Sequence, residues 1–235
     1  MTEKSLGKPV TLAFDVYGTL IDTHGVVVAL EKHLGAKAPD FSSAWREKQL
    51  EYSFRRGLMQ NYENFARCTS DALDYTSTYL KVFLSEDDKQ ELLNVYKVLP
   101  AFDDVKEGLE RAKELGFRMF AFSNGTSDAV ETLLKHAGIW DYFLGVVSVD
   151  EIKSFKPNPG VYCHFLRRAG STGADAWLIS SNPFDVIGAL SAGMKAAWVK
   201  RLPEALFDPW GIKPTLTVKS LLDLAGQIDL VQQNT

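Results

Sequence analysis

From about Ala101 onward, short apolar runs of strand length alternate with stretches whose apolar residues recur every three or four positions. Val105, Leu109, Ala112 and Leu115 mark one helix face, and Gly116 stops it. Phe117 to Phe122 is a mostly apolar run, after which Ala129, Val130, Leu133, Leu134 and Ala137 return to helical spacing before Gly138. Val146-Val147-Ser148-Val149, Ala176-Trp177-Leu178-Ile179 and Ala196-Ala197-Trp198-Val199 are further apolar runs, each followed by polar or loop residues. An earlier run, Thr11-Leu12-Ala13-Phe14, ends at Asp15 and breaks into a Gly18-Thr19 turn. Continuous apolar strands separated by amphipathic helices predict an α/β fold with a parallel sheet covered on both faces. In such sheets ligands bind outside the carboxyl ends of the strands.

Between Ile21 and Leu99 the period changes. Helical spacing dominates, no convincing strand stands out, and aromatic residues are dense: Trp45, Tyr52, Phe54, Tyr62, Phe65, Tyr75 and Tyr79. The pattern predicts a helical cap (21–99) inserted into a catalytic core formed by 1–20 and 100–235, closing over the strand ends.

Composition narrows the function classes. With 235 residues, 46% hydrophobic and 24% charged, the chain has the make-up of a soluble globular protein. A net charge of −4 offers no electrostatic footprint for nucleic acid or an anionic membrane. No run of about 18 apolar residues exists to span a bilayer. The first residues carry no apolar signal core, so no secretion signal is expected. Cys68 and Cys163 are far apart, without metal-ligand spacing, and are expected as reduced thiols of a cytoplasmic protein.

Four polar clusters sit where predicted strands end. Asp15 is followed four residues later by Thr19, whose hydroxyl can fix the carboxylate or make a local backbone bond. Ser123-Asn124-Gly125 ends a strand and opens a helix, an arrangement that binds anions but is also a common turn. Lys156-Pro157 supplies a cation that beside a buried carboxylate would hold it ionised. Pro159 suits a helix first turn, with Tyr162 one turn in, placed to reach the same site or simply to pack. Ser180-Ser181-Asn182-Pro183-Phe184-Asp185 closes the set, with Asp185 also placed to cap its helix. Within the cap, Arg46, Leu50 and Phe54 share one helix face, which sets an arginine on an apolar stripe.

The matches Phe14-Asp15-Val16-Tyr17-Gly18-Thr19-Leu20, Trp45-Arg46-Glu47-Lys48-Gln49-Leu50-Glu51-Tyr52, Ser123-Asn124-Gly125, Lys156-Pro157 and Ser180-Ser181-Asn182 with Asp185 span nearly the whole chain. In this order they resemble the (S)-2-haloacid dehalogenases, the type II branch of the haloacid dehalogenase superfamily. The Trp45 to Tyr52 segment belongs to that branch rather than to the superfamily at large. The resemblance implies a Rossmann-like, doubly wound sheet with an inserted helical cap. It also implies a metal-independent hydrolysis of (S)-2-haloalkanoic acids to (R)-2-hydroxyalkanoic acids.

By the same resemblance Asp15 is the nucleophile that forms an ester with Cα. Arg46, Asn124 and Phe184 receive the halide. Ser123 and the backbone N–H groups of Val16 and Tyr17 hold the substrate carboxylate. Lys156 balances charge near Asp15 with help from Ser180 and Tyr162, while Thr19 fixes the carboxylate. Asn182 and Asp185 position and activate water, and Tyr17, Leu50 and Phe65 wall the alkyl part. In phosphatase branches a second aspartate, two places after the nucleophile, protonates the leaving oxygen; here Tyr17 stands there, which suits a leaving group that needs no proton. The acidic pair expected of a Mg²⁺ site reads Ser180-Ser181-Asn182, so no metal and no cofactor is expected. The implied partners are a small 2-haloacid and a second copy of the chain in a homodimer. Glu47, where glutamine is frequent, would weaken halide binding if it pointed inward. The rivals are a metal-free hydrolase opening another Cα–heteroatom bond, as in a cyclic amine acid, and a small-molecule phosphatase.

Overall fold

The computed structural model describes residues 9–233. The expectation of no secretion signal falls on residues 1–8 and lies outside the described residues. Six strands form one parallel sheet: β1 (Thr11–Phe14), β2 (Arg118–Ser123), β3 (Val146–Ser148), β4 (Ala176–Ser180), β5 (Lys195–Val199) and β6 (Leu216–Val218). Their spatial order is β3-β2-β1-β4-β5-β6. The chain thus winds outward on one side of β1, then returns to begin the other side with β4. The crevice between β1 and β4, where the winding reverses, is the place where such sheets bind ligands. Asp15 stands there: its N–H donates to Ile179 O on β4 at 2.9 Å.

Alternation along the central strands sends side chains to two cores. Leu12 and Phe14 of β1, with Trp177 and Ile179 of β4, meet α5 (Val105–Glu114), α6 (Ser127–His136) and α9 (Leu224–Gln233). Ala13 and Leu178 face α7 (Pro159–Ala169) and α8 (Pro183–Ser191) on the opposite side. The parallel sheet with helices on both faces is therefore the architecture that the sequence pattern predicts. Two elements escape that pattern, β6 and α9: β6 is three residues long, too short to show a period.

The inserted stretch between β1 and α5 folds as α1 (His24–Leu34), α2 (Ala38–Leu58), α3 (Phe65–Tyr79) and α4 (Glu86–Val95). Local chemistry starts these helices. Pro39 stands in the first turn of α2, and Asn64 caps α3 by accepting from Arg67 N at 2.9 Å. Ser85 and Asp88 form a reciprocal capping box on α4. Trp45 Nε1 donates to Thr69 O at 2.9 Å and ties α2 to α3. The two connections to the sheet run side by side, with Asp22 N bonded to Pro100 O (2.8 Å) and Phe102 N to Leu20 O (3.0 Å).

One arginine fastens both connections. Arg201, just past β5, donates from Nη1 to both oxygens of Asp104 at 2.7 Å and from Nη2 to Thr19 O at 2.6 Å. Its guanidinium lies 4.2 Å over the Phe102 ring. Asp104 Oδ2 also accepts from Ser220 Oγ and Leu221 N, both at 2.8 Å. Burial alone would raise the Asp104 carboxyl, but Arg201 and these donors outweigh it and hold the group below its ordinary value.

Asp104→Ala strands the Arg201 charge and is expected to cost about 3 kcal/mol in urea unfolding at pH 7. A depressed folded pKa gives stability that is present above the ordinary aspartate value of about 3.9 and lost as pH falls below it. The gap between wild type and variant is therefore expected to narrow in acid.

Candidate active site

The loop after β1 wraps back on itself. Val16 O accepts from the N–H groups of Thr19, Leu20 and Ile21, and Gly18 takes φ 78°, a value that favours glycine. This turn aims the Thr19 hydroxyl at Asp15 Oδ2, 2.9 Å away. The same hydroxyl accepts from Ser181 N at 2.9 Å, which locks the β4 loop against the β1 loop. Ser180 Oγ (3.2 Å) and Asn182 Nδ2 (2.7 Å) also donate to Asp15 Oδ2. Oδ1 accepts from Lys156 Nζ alone, at 3.2 Å. Asp15 is thus 9% exposed, with one oxygen saturated and the other holding free lone pairs.

Lys156 is 2% exposed, and each of its ammonium protons has an acceptor: Asp15 Oδ1, Asp185 Oδ2 at 2.8 Å and Phe122 O at 2.9 Å. Burial alone would lower its pKa, but the two carboxylates outweigh it and hold the group above its ordinary value. Asp185 is fully buried, and burial pushes its carboxyl up against the pull of Lys156. Tyr162 Oη donates to Asp185 Oδ1 at 2.7 Å. The lysine does not sit at a strand end as the sequence suggests. It follows a 3₁₀ turn (Val149–Ile152) beyond β3 and is held by the bond from its own N–H to Asn124 Oδ1 at 3.0 Å. Nor does Asp185 cap α8: that helix has no side-chain cap, and both Asp185 oxygens serve Lys156 and Tyr162.

Across a cleft of about 20 Å³ from Asp15 stands Arg46, with Tyr17, Leu50, Phe65 and Phe184 as walls. That is room for about one water. Arg46 Nη1 donates to Gln49 Oε1 at 2.6 Å, and Gln49 Nε2 in turn donates to Thr69 Oγ1. Burial lowers the Arg46 pKa, while Tyr96, Asp15 and Tyr17 act in the opposite direction. Arg55, Arg56 and Arg67 nearby all pair with carboxylates, yet among the described residues none bridges Arg46. Glu47 does not intrude, being exposed. Phe54, one face along from Arg46, packs edge-on against Phe184 with centroids 5.2 Å apart.

Ser123 and Asn124 complete the cleft. Ser123 Oγ accepts from Gly125 N at 3.1 Å, which leaves its proton free to point inward. Asn124 spends its oxygen on Lys156 N and keeps its NH₂ for a ligand. The N–H groups of Val16 and Tyr17 find no acceptor among the described residues. Burial, then the neighbouring Tyr96, pushes the Tyr17 hydroxyl up to about 12. The structure thus brings the expected site residues together around Asp15 and the cleft and leaves Glu47 outside. It gives parts to Gln49 and Ser181, which the sequence motifs contain without an assigned role, and it adds Tyr96, to which no motif pointed.

A model of the haloacid dehalogenase-like hydrolases matches residues 10–193. The chain belongs to that family. It is similar to haloacetate dehalogenase H-2 of Moraxella sp. (strain B), with 36% identity over 88% of this chain and 92% of the relative. It is 34% identical to the (S)-2-haloacid dehalogenase of Pseudomonas sp. (strain YL), over 89% and 90% of the two chains. The L-2-haloacid dehalogenase from Xanthobacter autotrophicus, solved with chloropropionic acid covalently bound, superposes with a TM-score of 0.87. Its identity is 30%, over 94% of this chain and 98% of that one.

Lys156→Met removes the cation that opposes burial of Asp185. A raised folded pKa gives stability that is present below the ordinary aspartate value and lost as pH rises through the folded one. The variant is expected to lose unfolding free energy between pH 5 and 8. In the wild type Lys156 itself, held above its ordinary value, adds stability that is present below about 10.4 and lost as pH rises through its folded value, and the variant lacks it. Chemical denaturation across that range checks both.

Proposed function

We propose that the protein hydrolyses (S)-2-haloalkanoic acids to (R)-2-hydroxyalkanoic acids through an ester on Asp15, without a metal. The observation that carries this reading is Arg46, a half-buried cation without a carboxylate partner among the described residues, facing a buried carboxylate across a cleft walled by apolar groups. A cation left unpaired in low dielectric is an anion site.

In the proposed reaction the substrate carboxylate takes the Val16 and Tyr17 N–H groups and the Ser123 hydroxyl. Asp15 Oδ1, its oxygen with free lone pairs, attacks Cα from the side opposite the halogen. The Cα–O bond forms as the carbon–halogen bond breaks, and the halide leaves with the bonding pair toward Arg46, the Asn124 amide and the Phe184 ring edge. Water then attacks Cγ of Asp15, and Asp185 takes its proton. The second step cleaves the Cγ–O bond, the departing alkoxide takes the proton that Asp185 received, and Asp15 releases the remaining water proton to solvent; Cα is untouched, so the configuration inverts once. Lys156 lies between Asp15 and Asp185 and neutralises them without displacing either.

The same reading includes the cap role of α1–α4, a cytoplasmic location and a homodimer. The free thiols Cys68 and Cys163 support the second, and exposed Leu58, Met59, Tyr75 and Tyr79 support the third.

Chloride release from (S)-2-chloropropionate in EDTA, and little from the (R) form, is the expected result. Absence of chloride from the (S) form would sink the reading, and magnesium-dependent phosphate release from a monoester would replace it with a phosphatase. Asp15→Asn is expected to lower kcat by roughly 10⁴-fold with the fold retained. Arg46→Ala is expected to lower it by about 10²–10³-fold, as when a preorganised group that stabilises developing negative charge is removed.

A further inference from the structure

The cleft between Asp15 and Arg46, about 20 Å³ without ligand, leaves little room for a long third substituent beside the carboxylate and the halogen. Beyond its walls lies a second cavity of about 310 Å³, at the lower end of the roughly 300–1,000 Å³ of small-molecule sites. Tyr17 and Phe65 line both spaces, and no other residue does. The larger one is bounded by Thr69, Leu93 and Tyr96 on the side of the inserted helices and by Gly125 and Ala129 near the start of α6, and it opens to solvent beside exposed Asn64, Gln90 and Lys97.

We infer that this cavity is a subsite for an extended straight-chain group on Cα, which makes the enzyme one for 2-haloalkanoates longer than the propionate. The inference rests on the reading of the site given above. In-line attack fixes Asp15, Cα and the halogen on one axis, and the Val16–Tyr17 amides and Ser123 fix the carboxylate. The remaining heavy substituent is then directed at Tyr17 and Phe65, the two side chains that separate the spaces.

The lining suits an apolar chain. Leu93, Ala129 and the rings of Tyr17, Phe65 and Tyr96 supply carbon surface. Several of the polar groups are already engaged with one another. Thr69 Oγ1 accepts from Gln49 and donates to Phe65 O at 2.9 Å. Lys97 Nζ (2.7 Å) and Gln90 Nε2 (3.3 Å) both donate to Asn94 Oδ1. Lys97, the charged side chain among the lining residues, is exposed and bonded to the Asn94 amide.

The test compares kcat/KM for bromoacetate, (S)-2-bromopropionate and (S)-2-bromohexanoate in the wild type, Ala129→Phe and Leu93→Trp. Each methylene buried is worth up to about fourfold, so the wild type is expected to prefer the hexanoate to the propionate. The filled variants are expected to lose about tenfold or more on the hexanoate and less than about twofold on the propionate. Equal losses on both, or a wild-type kcat/KM that falls with each added methylene from bromoacetate on, overturns the subsite while leaving dehalogenation intact. No bromide from any of the three overturns the parent reading, and the subsite with it. A series of unhalogenated acids from propionate to octanoate, used as competitive inhibitors, gives a readout without chemistry. Inhibition that strengthens with chain length in the wild type and not in the filled variants is expected; a flat series in the wild type overturns the subsite.

Discussion

Lys156 Nζ lies between two buried carboxylates, and the geometry of the site depends on that one ammonium group. An isolated charge in a protein interior costs several kcal/mol, and two carboxylates near each other cost more. Here three acceptors take the three ammonium protons, and four donors converge on Asp15. The arrangement lets Asp15 stay buried and aligned beneath a cleft with room for about one water. Arg46 brings the total to two positive and two negative groups around the cleft, so that an anionic substrate meets a balanced site rather than a negative one.

The placement of these charges follows from topology. Asp15 and Ser180 end two adjacent central strands at the reversal of winding, where no crossover helix covers the strand ends. The loops after β1 and β4 are bolted together by Thr19 and Ser181, and Arg201 joins the first of them to the return connection at Asp104. The loop that follows Asp15 and the return connection from the inserted helices are therefore tied at one place. A cleft closed between sheet and inserted helices excludes water, which strengthens every electrostatic contact inside it.

Tyr17 has a double part in this picture. In the proposed reaction it offers its backbone N–H to the substrate carboxylate and its ring to the third substituent, and it leaves the departing group without a proton donor. Halide is a leaving group that needs none. Its ring and that of Phe65 also form the only common wall of the small cleft and the larger cavity.

Much of the fold was legible because apolar spacing is a local property. The runs at Thr11, Phe117, Val146, Ala176 and Ala196, and the helical period from Ile21 to Leu99, predict a parallel sheet and an inserted helical stretch from neighbours in sequence alone. The three-residue β6 and the last helix carry too little periodicity to be read. The sequence also determined which residue types stand after the strands, and family resemblance ordered them into a candidate site. Only the tertiary structure decided how those groups pair. Asp15 meets partners 141, 165 and 167 positions away, and no local pattern encodes such distances. Tertiary packing likewise turned Asp185 from a possible helix cap into a buried counter-ion, set Glu47 outward and left Arg46 without a carboxylate. Charge pairing and cavity shape are set where separate segments converge in space, whereas periodicity is set along the chain.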